Sequence, residues 1–270
     1  MSSPSNSSPQ ILFATDFSKS SQSALLCARQ IARQRGASLH TIHVIDLTGG
    51  GSPQPSSFTA SRESARRALR HIEHGLRLAG IPSSATIIAG GSAAHSIHEA
   101  ALRYKPEILV MGSHGEPIML APAVGANLKA VLNRALYPVL IVNADRCTSS
   151  SLSFAPAIFV TDGDPRSFAA AVAAWPPGAQ EGGVPLYWAP ASGQAAPADL
   201  VAPHPAGFAP ARSIAGIEAA AALLRAIASA EAGLLVIGLR SRGHLDTLGA
   251  GSLLRETITH ASCPVLIVRA

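Results

Sequence analysis

MGSHGEPIMLAPAVGAN fills residues 111–127, directly after the apolar run Ile108-Leu109-Val110. A short apolar run bounded by turn-forming residues suits a parallel strand covered on both faces. This one empties into glycines at positions 112, 115 and 125. Glycines beyond the carboxyl end of such a strand let backbone amides approach an anion such as a phosphate. A helix starting after the last glycine adds its N-terminal dipole. The plainer reading is that the glycines only turn corners, so the flanking sequence has to decide.

Upstream, strand and helix signals alternate. Ile11 to Ala14 reads as a buried strand, followed by Asp16-Phe17-Ser18. Apolar residues at 24, 25, 28, 31 and 32 then keep helical spacing, with Ser18 as N-cap and Gly36 as the stop. Leu39 to Ile45 is a second strand, and Thr48 to Ser57 (TGGGSPQPSS) reads as a flexible loop. A helix over Ser61–Ala79 buries Ala65, Ala68, Leu69, Ile72 and Leu76. Then come a strand over Ala85–Ala89, a helix over Ala93–Tyr104, the strand at Ile108, a helix over Leu128–Leu136 and a strand over Val139–Val142. Five strands alternating with four helices predict a three-layer α/β/α unit around a parallel sheet.

The pattern then returns. Gly112, Gly125 and Pro138 correspond to Gly238, Gly251 and Pro264, all at an offset of 126 residues. Phe13-Ala14-Thr15-Asp16 returns as Phe159-Val160-Thr161-Asp162 at an offset of 146, so the second copy is about 20 residues shorter between its first and fourth strands. No counterpart of Ser61–Ala79 occurs, and Pro190 to Pro210 is rich in Pro and Ala. The expectation is two tandem domains, 10–143 and 156–270, each with a five-stranded parallel sheet, the second truncated in its middle. Their last strands, Val139–Val142 and Val265–Val268, should pair and cover apolar edges that would otherwise invite aggregation.

Composition narrows the function classes. Apolar residues make up 47% of the 270, enough for a sizeable core. The net charge of +5 comes mostly from scattered arginines. The densest group, Arg62, Arg66, Arg67 and Arg70, reads as the wet face of a helix, and no aromatic stacking motif accompanies it, which argues against nucleic acid. Three cysteines without CxxC spacing fit a reducing compartment. The leading MSSPSNSSPQ has neither a basic nor an apolar signal region, and no apolar stretch reaches the ~20 residues of a membrane span. The expectation is a cytoplasmic protein with no membrane partner.

FATDFSKSSQSAL at 13–25, HVID at 43–46, MGSHG at 111–115 and PVLIV at 138–142 together resemble the universal stress protein family. The resemblance runs over nearly all of 10–143 and, more weakly, 156–269. It implies an adenine nucleotide alpha hydrolase-like fold and, in ATP-binding members, the pattern G-x2-G-x9-G-[S/T]. Carried over residue by residue, Asp16 lies by the ribose or adenine, with Ala14 and Thr15 before it, and Val44 contacts adenine. Gly112, Gly115 and Gly125 wrap ribose and phosphates, with Met111, His114, Ala126 and Asn127 as further binding candidates beside them. The second copy offers Gly238, Arg240, Gly251 and Ser252. Each copy departs from the pattern. Ala126 lacks the hydroxyl, and the first loop carries Glu116, Pro117 and Pro122 but no basic residue. In the second copy Ser241 replaces a glycine, although Arg240 and Arg242 supply charge, and the counterpart of Val44 falls near Pro190.

The resemblance therefore implies a non-catalytic stress or signalling module that binds ATP or another adenine nucleotide in its first domain, with a homodimer and protein partners as further expectations. A rival is a nucleotide-free scaffold for protein contacts with decayed sites. A slow ATPase is a second rival, but neither a base nor a metal-holding group can be named for it. The chain has no GxSxG elbow, no HExxH and no P-loop lysine. The pairs His71/His74 and His95/His98 have helical i, i+3 spacing but no converging carboxylate or cysteine, and read as exposed. His40 and His43, three apart on a strand, should face opposite sides.

Overall fold

The computed structural model describes residues 9–47, 55–114, 125–144, 153–175, 186–188, 207–209, 212–214, 219–240 and 251–270. The first half runs β1 (Gln10–Ala14), α1 (Lys19–Arg35), β2 (Ser38–Asp46), α2 (Pro55–Leu78), β3 (Ser83–Gly90), α3 (Ala93–Tyr104), β4 (Ile108–Gly112), α4 (Ala126–Arg134) and β5 (Val139–Val142). The second runs β6 (Ala157–Thr161), α5 (Pro165–Ala174), β7 (Leu186–Trp188), β8 (Arg212–Ser213), α6 (Ala219–Ser229), β9 (Leu234–Leu239), α7 (Gly251–His260) and β10 (Val265–Arg269).

All ten strands form one sheet in the order β3-β2-β1-β4-β5-β10-β9-β6-β7-β8. Within each half the strands are parallel, and the second half repeats the order of the first. At the junction β5 and β10 pair antiparallel, with Leu140 opposite Leu266. Alternate strand residues point to opposite faces. Leu12, Leu109, Ile141, Ile237 and Ile267 share one core with α3, α4, α6 and α7. Phe13, Val110, Leu140, Val236 and Leu266 share the other with α1 and α5. Both cores run without a break from one half into the other.

Several expectations needed adjustment. The helix foreseen over Ser61–Ala79 begins at Pro55, inside the segment read as loop. Proline at a first helical position loses no hydrogen bond, because that amide has no intrahelical acceptor. Helix α4 starts two residues earlier than its apolar spacing suggests, at Ala126, and ends at Arg134, leaving Leu136 exposed. The eroded middle of the second copy still provides two strands, β7 of 3 residues and β8 of 2, where β2 and β3 have 9 and 8. Most of the Pro190–Pro210 segment lies outside the described residues. Among the described residues no helix is long and apolar enough to cross a membrane.

Candidate functional site

In open α/β sheets ligands sit beyond the carboxyl ends of the strands, where the strand order reverses. In the first half that point lies between β1 and β4. Thr15 extends the β1 ladder, its N–H donating to the Ile42 carbonyl at 2.9 Å. Its own carbonyl accepts from His43 Nδ1 at 2.8 Å, and its hydroxyl accepts the Phe17 N–H at 3.0 Å. The His43 ring stacks on Phe17 at 4.4 Å, holding that residue at a φ of 65°. This sharp turn presents the Asp16 side chain. Partial desolvation raises the pKa of its carboxyl, but hydrogen bonds from Ser18 and Ser21 outweigh it and hold the group below its ordinary value. The geometry agrees: the Ser18 N–H reaches Asp16 Oδ1 at 3.0 Å, and the Ser21 hydroxyl donates to the same oxygen. Asp16 is thus an ionised, solvent-facing carboxylate.

On the β4 side, the Ser113 N–H donates to the Val142 carbonyl at 2.9 Å. The Ser113 carbonyl accepts the Gly125 N–H at 3.0 Å, so the two ends of the glycine loop are tied together. Gly125 is the N-cap of α4, and among the described residues no side chain caps that helix. Its first-turn amides therefore have no acceptor within the helix. The Ser20 hydroxyl donates to the His114 carbonyl, joining α1 to the loop, and Ser113 Oγ lies 2.8 Å from His114 Nδ1.

Gly112 carries a constraint not read from the sequence. A Cβ there would fall 2.3 Å from Ser20 Oγ and 2.9 Å from the Ser20 carbonyl carbon. At Gly238 it would fall 2.5 Å from the Ser167 carbonyl oxygen. In both halves this glycine lets the strand end lie against the first turn of α1 or α5, a packing role beside any contact with ligand.

Helix α3 closes the third side, tethered by the Ala93 N–H to Asp46 Oδ2 at 3.1 Å. The walls enclose a cavity of about 290 Å³. Its lining combines polar residues, Thr15, Asp16, Ser21, Ser113, His114 and Asn127, with apolar ones, Ile42, Val44, Ile97, Met111 and Leu128. Of the residues singled out in the first half, Ala14, Thr15, Asp16, Val44, Met111, Gly112, His114, Gly125, Ala126 and Asn127 all line this one space. Gly115 lies outside the described residues. Sequence reading missed Ser21, Ile42, Ala93, Ile97, Ser113 and Leu128. The i, i+4 pair Ala93/Ile97 at the start of a helix following a strand was the available signal.

The second half differs. The crevice among Val160, Thr161, Asp162, Leu223, Ile237, Leu239, Leu253 and Leu254 holds about 10 Å³, room for at most one water. By register and repeat spacing Val160 stands where the first half has Ala14, Leu239 where it has Ser113, and Leu253 where it has Asn127. Larger or more apolar side chains fill the space. Asp162, unlike Asp16, is buried, and its Oδ2 accepts from Arg240 N at 3.0 Å and Arg240 Nε at 3.2 Å. Arg240 is thereby held by its own chain. Gly238 is buried in the sheet, and Gly251 begins α7; the side chain of Ser252, with Ser241 and Arg242, lies outside the described residues. Pairing of Val160 with Tyr187 puts the Val44 counterpart at Ala189, one residue from the sequence expectation and also outside them.

His40 and His43 do face opposite sides. His40 packs on Tyr104 of α3 at 4.2 Å, with Nδ1 2.6 Å from Ser84 Oγ, and burial pushes its pKa down. His71, His74 and His95 are exposed, and His98 Nδ1 is 3.2 Å from the Tyr137 hydroxyl, whose pKa burial pushes up to about 12. Among the described residues no cluster of three His, Cys, Asp or Glu could hold a metal.

A doubly wound α/β unit, duplicated and joined edge to edge, with a crevice at the switch point of its first copy, defines a class of small-ligand-binding folds. The profile of the universal stress protein family matches residues 8–143 and again 161–269, and the chain belongs to that family. It is 27% identical over 132 residues to "Universal stress protein in QAH/OAS sulfhydrylase 3'region" of Thermus aquaticus, covering 49% of this chain and 96% of that protein. It is 29% identical over 139 residues to "Universal stress protein A homolog 1" of Coxiella burnetii (strain RSA 493 / Nine Mile phase I), covering 49% and 94%. The crystal structure of a universal stress protein from Archaeoglobus fulgidus DSM 4304 superposes with a TM-score of 0.73 at 20% identity, over 97% of this chain and 96% of that one, a likeness of fold.

Proposed function

We propose that this chain is a tandem universal stress protein of two domains, 10–143 and 156–270, that binds an adenine nucleotide in the first and acts as a non-catalytic stress-response or signalling module in the cytoplasm. The observation that carries the reading is the cavity of about 290 Å³ beside Asp16 and Val44. Its apolar lining suits a flat heterocycle. Its polar lining, with an ionised carboxylate and the start of α4, suits a sugar and phosphate.

The crevice of about 10 Å³ among the described residues of the second domain favours a second reading, in which that domain is a scaffold for its partner domain and for other proteins. The two readings divide the molecule between them, one ligand per chain. Thermal melting of the purified protein against ATP, AMP and adenosine tests this. A ligand at 100 times its dissociation constant should stabilise the fold by about 2.7 kcal/mol. Absence of a shift with all three at millimolar concentration leaves only the scaffold.

A further inference from the structure

Resting on that adenine-nucleotide reading, we infer that the first-domain cavity takes adenosine carrying at most one phosphate and excludes the triphosphate. The reason is charge. Among its described lining residues there is no Lys or Arg, while Asp16 contributes a carboxylate. Lys19 and Lys129 are exposed on the first turns of α1 and α4, and neither lines the cavity.

Donors are equally few. Ser113 N–H is spent on Val142, Gly125 N–H on Ser113, and Ala126 has no hydroxyl. Among the described residues, the backbone donors left beside the cavity are chiefly those of the first turn of α4, and a helix N-terminus carries the equivalent of only about +0.5 charge. A phosphate monoester bears about −1.5 to −2 at neutral pH, and every added phosphate increases it. One phosphate is within reach of that offset; three beside an ionised Asp16 are not. Size points the same way, since about 290 Å³ lies at the low end of ligand clefts.

The test is isothermal titration of the full chain with adenosine, AMP, ADP and ATP, each with and without Mg²⁺. AMP and adenosine should bind within about tenfold of each other, and ATP at least about tenfold weaker than AMP in both conditions. ATP binding as tightly as AMP overturns the charge argument and leaves the adenine-nucleotide reading intact. Failure of all four to bind overturns both. Asn127→Lys, at an exposed position on the cavity rim, supplies the missing cation. It should narrow the AMP-to-ATP gap by at least about threefold, and a gap unchanged in the folded variant overturns the inference.

Discussion

His40 lies on β2, almost fully buried, its ring against Tyr104 and its Nδ1 on Ser84, while Nε2 has no partner. A second proton on this ring would sit in apolar surroundings with nothing to accept it, so burial lowers the folded-state pKa below the ordinary imidazole value of 6.5. The unfolded chain then takes up a proton first as pH falls. The stability that the neutral imidazole contributes is fully present above pH 6.5 and drains away as pH drops from there through the lower folded-state value. His40→Asn keeps a polar atom near the Nδ1 position and removes the titration. Urea midpoints at pH 7.5 and 5.5 should therefore differ less in the variant than in the parent. An equal difference in the two would assign the acid sensitivity to some other group.

At the scale of elements, the contact between a strand end and the following helix repeats in both halves and depends on one missing carbon. The first-half version is partly soft, because the nearest atom is a rotatable hydroxyl, yet that hydroxyl is engaged with His114. In the second half the obstruction is the backbone oxygen of Ser167. Overpacking of this kind costs about 1–3 kcal/mol. Gly112→Ala and Gly238→Ala should both lower the melting temperature, Gly238→Ala at least as much. Only Gly112→Ala should also weaken adenosine or AMP binding in titration, because Ser20 holds the carbonyl of a cavity residue. If Gly238→Ala lost ligand equally, the second half would have a part in the site. The same repeat shows how duplication let the halves diverge. Substituting leucine for a serine and an asparagine and valine for an alanine closes the crevice without disturbing the strand order around it.

Seen whole, the molecule is one sheet with two cores that ignore the boundary between its halves. A side-chain clamp adds to this: Arg35 of α1 donates to the Ala174 carbonyl at 2.7 Å, lies 5.0 Å from the Trp175 ring centre and pairs with Glu107 at 3.2 Å. Leu266 stands opposite Leu140 at the junction and is completely buried. Leu266→Ala should cost about 2–5 kcal/mol and destabilise both halves together. The chain has tryptophan only at 175 and 188, so fluorescence follows the second half while circular dichroism follows the entire fold. Coincident melting curves by the two probes are expected, in the parent and in the variant. A fluorescence transition that precedes the loss of helix would show that the halves unfold separately.

Local pattern was enough for much of this. Buried strands announce themselves as short apolar runs, helices by their spacing and by Ser18 and Gly36 at the ends, and duplication by fixed offsets, because each depends on neighbours a few residues apart. Ten of the cavity residues were named in advance, the loop glycines from their place after a strand end and the others, Val44 among them, from what the resemblance to the universal stress protein family implies. Other facts needed coordinates. Ser21, Ile42 and Ile97 join the site from faces that only packing brings together. The short strands β7 and β8 form where their own sequence gives weak signals, because a neighbouring edge supplies the hydrogen bonds. Volume too needed coordinates: the described residues leave about 290 Å³ beside Asp16 in one half and about 10 Å³ beside Asp162 in the other, and the difference lies in how side chains from separate elements meet.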